Sequence, residues 1–285
     1  MSRVERFEKG AGKVVSSIRG RWLDGLLLTL LVGLAALVFS KYGPFEQAIE
    51  GDASMQIYVA QQMVRGNPPY LTVFFPKTPL TGLAGAMAIL IGRPLGITDV
   101  IAIRTLFFMV AVFCVPFVYL LARRLADSRI AGVMVGLALA FNPIFGEYAC
   151  AGPEPKILTM LWGLISLWAL ARGSWFLSGV AGSLSFLSWQ PGGIFIFLIL
   201  VAAYLWQGEE QAKRLTRPLV GVLVPLALLG IYLIAVDAWA PALRQPGRVA
   251  AQPRRVQGRC SLQIHQFIQY ISPGGRLRTC PYWDG

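Results

Sequence analysis

Apolar residues run along this chain in long blocks rather than in amphipathic stripes. Blocks without a charged residue cover 25–40, 105–122 (led in by 100–104), 130–146, 157–171 and 218–236. A further uncharged stretch, 173–208, is long enough for two helices, with a turn-rich break at Trp189-Gln190-Pro191-Gly192-Gly193. A bilayer core about 30 Å thick needs roughly 20 helical residues. The blocks are too long for barrel strands, and a helix satisfies its own backbone in lipid. The pattern predicts an all-α polytopic membrane bundle of about seven spans, eight if 80–97 crosses. Residues 80–92 are short for a span and end at Arg93-Pro94, so they are read as interfacial or half-inserted.

Charge supports that reading. Basic residues gather before the first block (Arg3, Arg6, Lys9, Lys13, Arg19, Arg21), at Arg123, Arg124 and Arg129, and at Lys213, Arg214 and Arg217. Cytoplasmic loops carry the excess of Lys and Arg. All three clusters share one side only if 80–92 does not cross. The N-terminus is then cytoplasmic and the first block a signal anchor. Loops 41–99, 147–156 and 189–193, with Asp237 and the tail, fall on the outer face and hold eight of the fourteen acidic residues. The expected organisation is a cytoplasmic segment 1–24, a membrane domain 25–239 with an outer loop 41–79, and a tail 240–285.

Composition changes the picture in two places. With 55% hydrophobic and 14% charged residues, the chain cannot cover a water-facing surface, which excludes a cytosolic globule. The net charge of +12 suggests a nucleic-acid partner at first sight, but half of it is orientation signal and half lies in the tail, so no nucleic acid is expected. The tail holds seven arginines, no lysine and the single acid Asp284. Without apolar periodicity it reads as low-order, either a basic extension or the product of truncation or a frameshift. The one histidine, His265, lies there, which excludes a His-based metal site or a Ser-His-Asp triad in the body. Cys260 and Cys280 could pair; Cys114 and Cys150 fall in or near spans.

The loop 41–79 carries the candidate chemistry. Asp52 reads as the N-cap of a short helix over 53–64, or as a carboxylate above the bilayer able to take a proton. In that helix Ile57, Ala60 and Val64 share one side, with Gln56, Gln61 and Gln62 elsewhere. Gly66-Asn67-Pro68-Pro69 ends it. Lys77 reads as a snorkelling residue or as a point charge for a phosphate, its direction held by Pro76 and Pro79.

The order of these features resembles the GT-C superfamily of membrane glycosyltransferases. One span is followed by Gly51-Asp52, a helix, and Phe75-Pro76-Lys77-Thr78-Pro79-Leu80. Arg104 then opens the next span and Leu120-Leu121-Ala122-Arg123-Arg124-Leu125 closes it. Within the superfamily it resembles the protein-mannosyltransferase and aminoarabinose-transferase-like branch, which takes a sugar from a polyprenyl-phosphate carrier on the outer or lumenal face. The resemblance places Asp52 at the loop aspartate and Lys77 at the Lys-Pro-Pro-Leu-like motif, with Thr78 for the usual first proline. It places Glu154 of Gly152-Pro153-Glu154-Pro155-Lys156 at a second acidic position, with Glu147 as the alternative, and Gln190 in a polar-Pro-Gly turn.

The resemblance implies direct displacement with inversion of the anomeric carbon. Asp52 would be the base, and Lys77, with Arg104 or Lys156, would stabilise the departing phosphate. Glu154 would orient the acceptor hydroxyl or join Asp52 on a divalent ion. Two carboxylates are compatible with Mg²⁺ or Mn²⁺, but some branches need no metal, so none is assigned. The implied partners are a polyprenyl-phosphate-linked sugar, the lipid bilayer and an unidentified acceptor, in a bacterial or archaeal plasma (inner) membrane. The rivals are a transporter or flippase-like permease, which would carry ionisable residues in its spans, and a degenerate non-catalytic membrane protein.

Overall fold

The computed structural model describes residues 3–49, 51–71, 75, 77–205 and 211–239. The expectations for the tail, and for the pairing of Cys260 with Cys280, lie outside the described residues.

All regular elements among the described residues are helices: α1 (Arg3–Ser40), α2 (Gly51–Val64), α3 (Leu80–Gly92), α4 (Asp99–Ala126), α5 (Arg129–Ala140), α6 (Pro143–Cys150), α7 (Pro155–Ala171), α8 (Trp175–Ser188), α9 (Gly193–Leu205) and α10 (Gln211–Ala235). Three stretches are individually long and apolar enough to cross a membrane: Trp22–Ser40, Asp99–Ala126 and Leu215–Ala235. The helices α3, α7, α8 and α9 are apolar but shorter. Large apolar side chains such as Leu30, Leu37, Phe113, Phe197 and Leu228 stand exposed. An apolar surface of that extent needs a non-aqueous partner, and the chain is a membrane protein.

The block 130–146 is not one helix. It divides into α5 and α6, bent by 60°. Pro143 has no N–H to continue α5, and Asn142 caps the new helix, its Oδ1 accepting from the Phe145 N–H at 2.9 Å. Proline at the first position after an Asn cap starts a helix rather than extending one.

Two polar ties define one end of the bundle. Asp24 in α1 holds Arg123 of α4 at 2.6 Å and Arg129 of α5 at 2.7 Å. Arg124 donates to the Ala171 carbonyl at the end of α7, at 3.3 Å. The helices α1, α4, α5, α6 and α7 surround a core that includes Phe39, Phe107, Val115 and the fully buried Tyr119. At the other end the Cys150 thiol donates to the Phe39 carbonyl at 3.1 Å.

The helix α8 joins α7 through reciprocal bonds. Thr159 Oγ1 donates to Ser185 O at 3.4 Å, and Ser185 Oγ to Thr159 O at 2.9 Å. Its contact with α10 depends on glycine. A Cβ at Gly179 would strike the Pro218 carbonyl, and one at Gly221 the Phe176 carbonyl. The far end of α10 contributes Leu233, beside Ala238, to a smaller cluster with Val59, Tyr70 and Phe75, tying the last span to α2 and the loop after it.

Candidate active site

The loop between α1 and α2 is held from below. Arg104, one turn inside α4 and 4% exposed, donates to the carbonyls of Pro44 (3.3 Å) and Gln47. Gln47 Nε2 donates to the Tyr42 carbonyl at 2.6 Å, and the Phe45 ring sits 6.2 Å from Phe108. Burying a guanidinium requires donors to find acceptors, and here the acceptors are loop backbone. Arg104 therefore anchors the loop that leads into α2.

That helix begins at Gly51, two residues before the expected start. Asp52 stands inside the first turn, where the helix dipole favours a carboxylate, rather than capping it. Its side chain is exposed, and Oδ2 forms an ion pair with Lys77 Nζ. Lys77 is the more enclosed partner, 18% exposed against 55% for Asp52. The backbone carrying Lys77 is fixed by Tyr70, whose hydroxyl donates to the Lys77 carbonyl at 2.7 Å. Tyr70 adopts a φ of 73°, an uncommon conformation for a bulky residue. Burial pushes its phenol well above the ordinary range.

The third member comes from the loop before α7. Gly152, at φ 124°, lies so close to α2 that a Cβ there would sit 3.4 Å from Ala53 Cβ. Glu154 follows, at the N-cap position of α7 without a capping bond from its side chain. The side chain is 12% exposed, and Lys156 Nζ lies 4.0 Å from Oε2. Burial holds its carboxyl above the usual carboxylate range. The field of Lys156 opposes that rise, that of Asp52 adds to it, and that of Lys77 opposes it. Glu154 thus shares electrostatics with Asp52 and Lys77, whereas Glu147 stands exposed on α6. Lys156 also lies 4.4 Å over the Tyr148 ring. The structure brings Asp52, Lys77, Glu154 and Lys156 to one place.

It does not bring Arg104 into direct contact there; that guanidinium is engaged with Pro44 and Gln47. Gln190 is exposed in a 3-10 turn (Gln190–Gly192). That turn reaches the same end of the bundle because Thr81, four residues after Lys77, donates to the Ser188 carbonyl at 3.2 Å.

Two further residues escape a sequence reading. Gln56, set apart from the Ile57, Ala60 and Val64 side, is 1% exposed, and neither Nε2 nor Oε1 has a hydrogen-bond partner among the described residues. At 100° per residue it lies roughly 40° around α2 from Asp52, with Ala53 roughly 100° in the same direction. Gln56 therefore falls between the residue that holds Lys77 and the one that meets the Gly152 loop. Helical side chains lean toward the N-terminus, here the Asp52 end. Thr78 Oγ1 and Glu154 Oε2 are likewise buried without a hydrogen-bond partner among the described residues. The i, i+4 spacing from Asp52 was the available signal for Gln56.

Asp52 already carries an ammonium, and no three His, Cys, Asp or Glu side chains group together among the described residues. Among the described residues at most two carboxylates, Asp52 and Glu154, are offered to a divalent ion here, and no step below is routed through one.

No curated protein and no solved structure matches the chain. A family model does, that of DolP-mannose mannosyltransferases, over residues 66–229. The match takes in Lys77, Arg104, Glu154, Lys156 and Gln190, while Asp52 precedes it. It covers more than half of the 285 residues, and the chain belongs to the DolP-mannose mannosyltransferase family, glycosyltransferases that use a polyprenyl-phosphate sugar donor.

Proposed function

We propose that the enzyme transfers mannose from a polyprenyl-phosphate carrier to an acceptor hydroxyl at the Asp52 end of the bundle, on the outer face of the membrane, with inversion. The convergence of Asp52, Lys77 and Glu154 from three separate elements carries the reading. In the resting protein Lys77 neutralises Asp52. A lipid phosphate arriving at the membrane edge competes for that ammonium. Lys77 then faces the phosphate, and Asp52 is released as a base.

The acceptor oxygen bonds to the anomeric carbon as the bond from that carbon to the phosphate oxygen breaks. The hydroxyl proton goes to Asp52, and the electron pair leaves on the lipid phosphate, stabilised by Lys77 with Lys156 nearby. Glu154, Gln56 and Thr78 present polar atoms without hydrogen-bond partners among the described residues to the hydroxyls of sugar and acceptor. Gln190 lines the edge of the same end, and Arg104 acts through the loop it anchors, as a positioning residue.

The orientation rests on the arginines at the Asp24 end, which suit a cytoplasmic surface. With α5 and α6 as one bent crossing and α7, α8 and α9 as short ones, the count is seven. The helix α3 lies at the interface. Transfer from polyprenyl-phosphate mannose, measured in membranes, tests the reading. Asp52→Asn should lower the rate by about 10²–10⁴-fold and Lys77→Gln by about 10²–10³-fold. Unchanged transfer by Asp52→Asn removes the assigned base.

A further inference from the structure

At the end of the bundle opposite Asp52, α4 and α7 finish side by side and frame a cavity of 430 Å³. Leu120, Arg123, Arg124, Asp127, Trp168 and Arg172 line it. The mechanism uses none of them. Arg172 lies 4.7 Å over the Trp168 ring. Arg124 uses its Nε on the Ala171 carbonyl, which points the remaining guanidinium edge away from that bond. Arg123 and Arg129 share the single carboxylate of Asp24.

Charge selects the ligand. Three arginines (123, 124, 172) and Asp127 line the cavity, and Arg123 is already paired with Asp24. The C-termini of α4 and α7 meet the N-termini of α5 and α8 there, so the helix-end charges offset one another. The balance is roughly +1, which complements one phosphodiester better than a polyphosphate. Arginine forks hold phosphate oxygens in pairs, and basic pockets between spans on the cytoplasmic side accept acidic headgroups. The surroundings suit a lipid. Trp168 is of the type found at the headgroup level, Leu120 forms part of the wall, and Leu125 and Ile130 at the same end are 73% and 76% exposed.

We propose that this cavity binds the phosphodiester headgroup of an anionic membrane lipid. A soluble phosphate offers the same oxygens, so the test separates the two. The full-length chain is reconstituted in phosphatidylcholine vesicles with and without phosphatidylglycerol. Retained lipid is then counted by native mass spectrometry after extraction. Wild type should retain phosphatidylglycerol. The Arg124→Gln/Arg172→Gln double variant should retain at least about tenfold less, from the loss of charge-assisted bonds, while still transferring mannose in phosphatidylcholine. If the double variant does not fold, Arg172→Gln alone, which removes only the stacked guanidinium, serves for the same comparison. Equal retention by wild type and variant overturns the proposal. Thermal protection by inorganic phosphate in pure phosphatidylcholine, equal to that from phosphatidylglycerol, overturns the lipid as occupant and assigns the cavity to a soluble anion.

Discussion

Gln56→Leu should make the protein more stable and less active at once. The amide has two polar atoms buried without hydrogen-bond partners among the described residues. Leaving a buried donor or acceptor unmade costs about 1–3 kcal/mol. Leucine has similar volume and no polar atom, so it removes both penalties and gains apolar contact. Area and desolvation sums are upper bounds, so a net gain of about 1–3 kcal/mol is expected. At about 2–4 °C per kcal/mol for chains approaching this size, the melting temperature should rise by roughly 2–12 °C. Membrane proteins commonly unfold irreversibly, so wild type and variant are compared in one detergent at one scan rate. Transfer should meanwhile fall about tenfold, the value of one lost substrate hydrogen bond near 1.4 kcal/mol. A melting temperature unchanged or lowered would refute the reasoning, because the amide would then have a partner in the folded protein. A rise with transfer untouched would leave the orphaned amide but remove its role toward substrate.

Glu154→Gln should flatten part of the stability profile against pH. The folded carboxyl titrates above its unfolded value. Its contribution is therefore fully present below the unfolded pKa and is lost as pH rises through the folded one. The variant should be relatively more stable above that window and equal below it, read by melting temperature across pH; parallel profiles would contradict the burial. Tyr70→Phe removes the bond to the Lys77 carbonyl, worth about 1 kcal/mol; it should raise KM for the lipid donor severalfold, measured by transfer kinetics, and an unchanged KM would count against this tether. Gly179→Ala and Gly221→Ala drive a methyl into a carbonyl of the neighbouring helix. Each should cost at least about 1–3 kcal/mol as overpacking, and melting temperatures within error of wild type would mean that α8 and α10 sit further apart.

Much of the fold was legible because it depends on local properties. Long apolar blocks must be helical in lipid, and each block coincides with a helix or a helix pair, including the break at Trp189–Gly193 that separates α8 from α9. The bend at Asn142-Pro143 had a local signal as well, an Asn cap before a proline, but it sits in an unbroken apolar run and hydropathy masks it. Asp52 and Lys77 were legible as a charge beside a helix start and a charge between prolines. Their pairing across 25 residues was not, since it requires the turn after α2 to fold back and Tyr70 to hold it.

Tertiary structure decided which partners each polar group meets. Arg104 looked like a phosphate ligand, yet its acceptors are carbonyls 57 and 60 residues away, a distance in sequence that no local pattern encodes. The resemblance put Glu154 first with Glu147 as its alternative; the approach of Gly152 to Ala53 brings Glu154 into the field of Asp52 and Lys77 and leaves Glu147 exposed. Gln56 carries a polar side chain on a helix with apolar neighbours, and periodicity set it apart from the Ile57, Ala60 and Val64 side without showing that it is buried. Burial is a property of the surroundings that other helices supply. Hydrophobicity sets which segments become helices, because each satisfies its own backbone. Which ends meet, and which side chains are left buried with unmade bonds, follows only from how those helices pack.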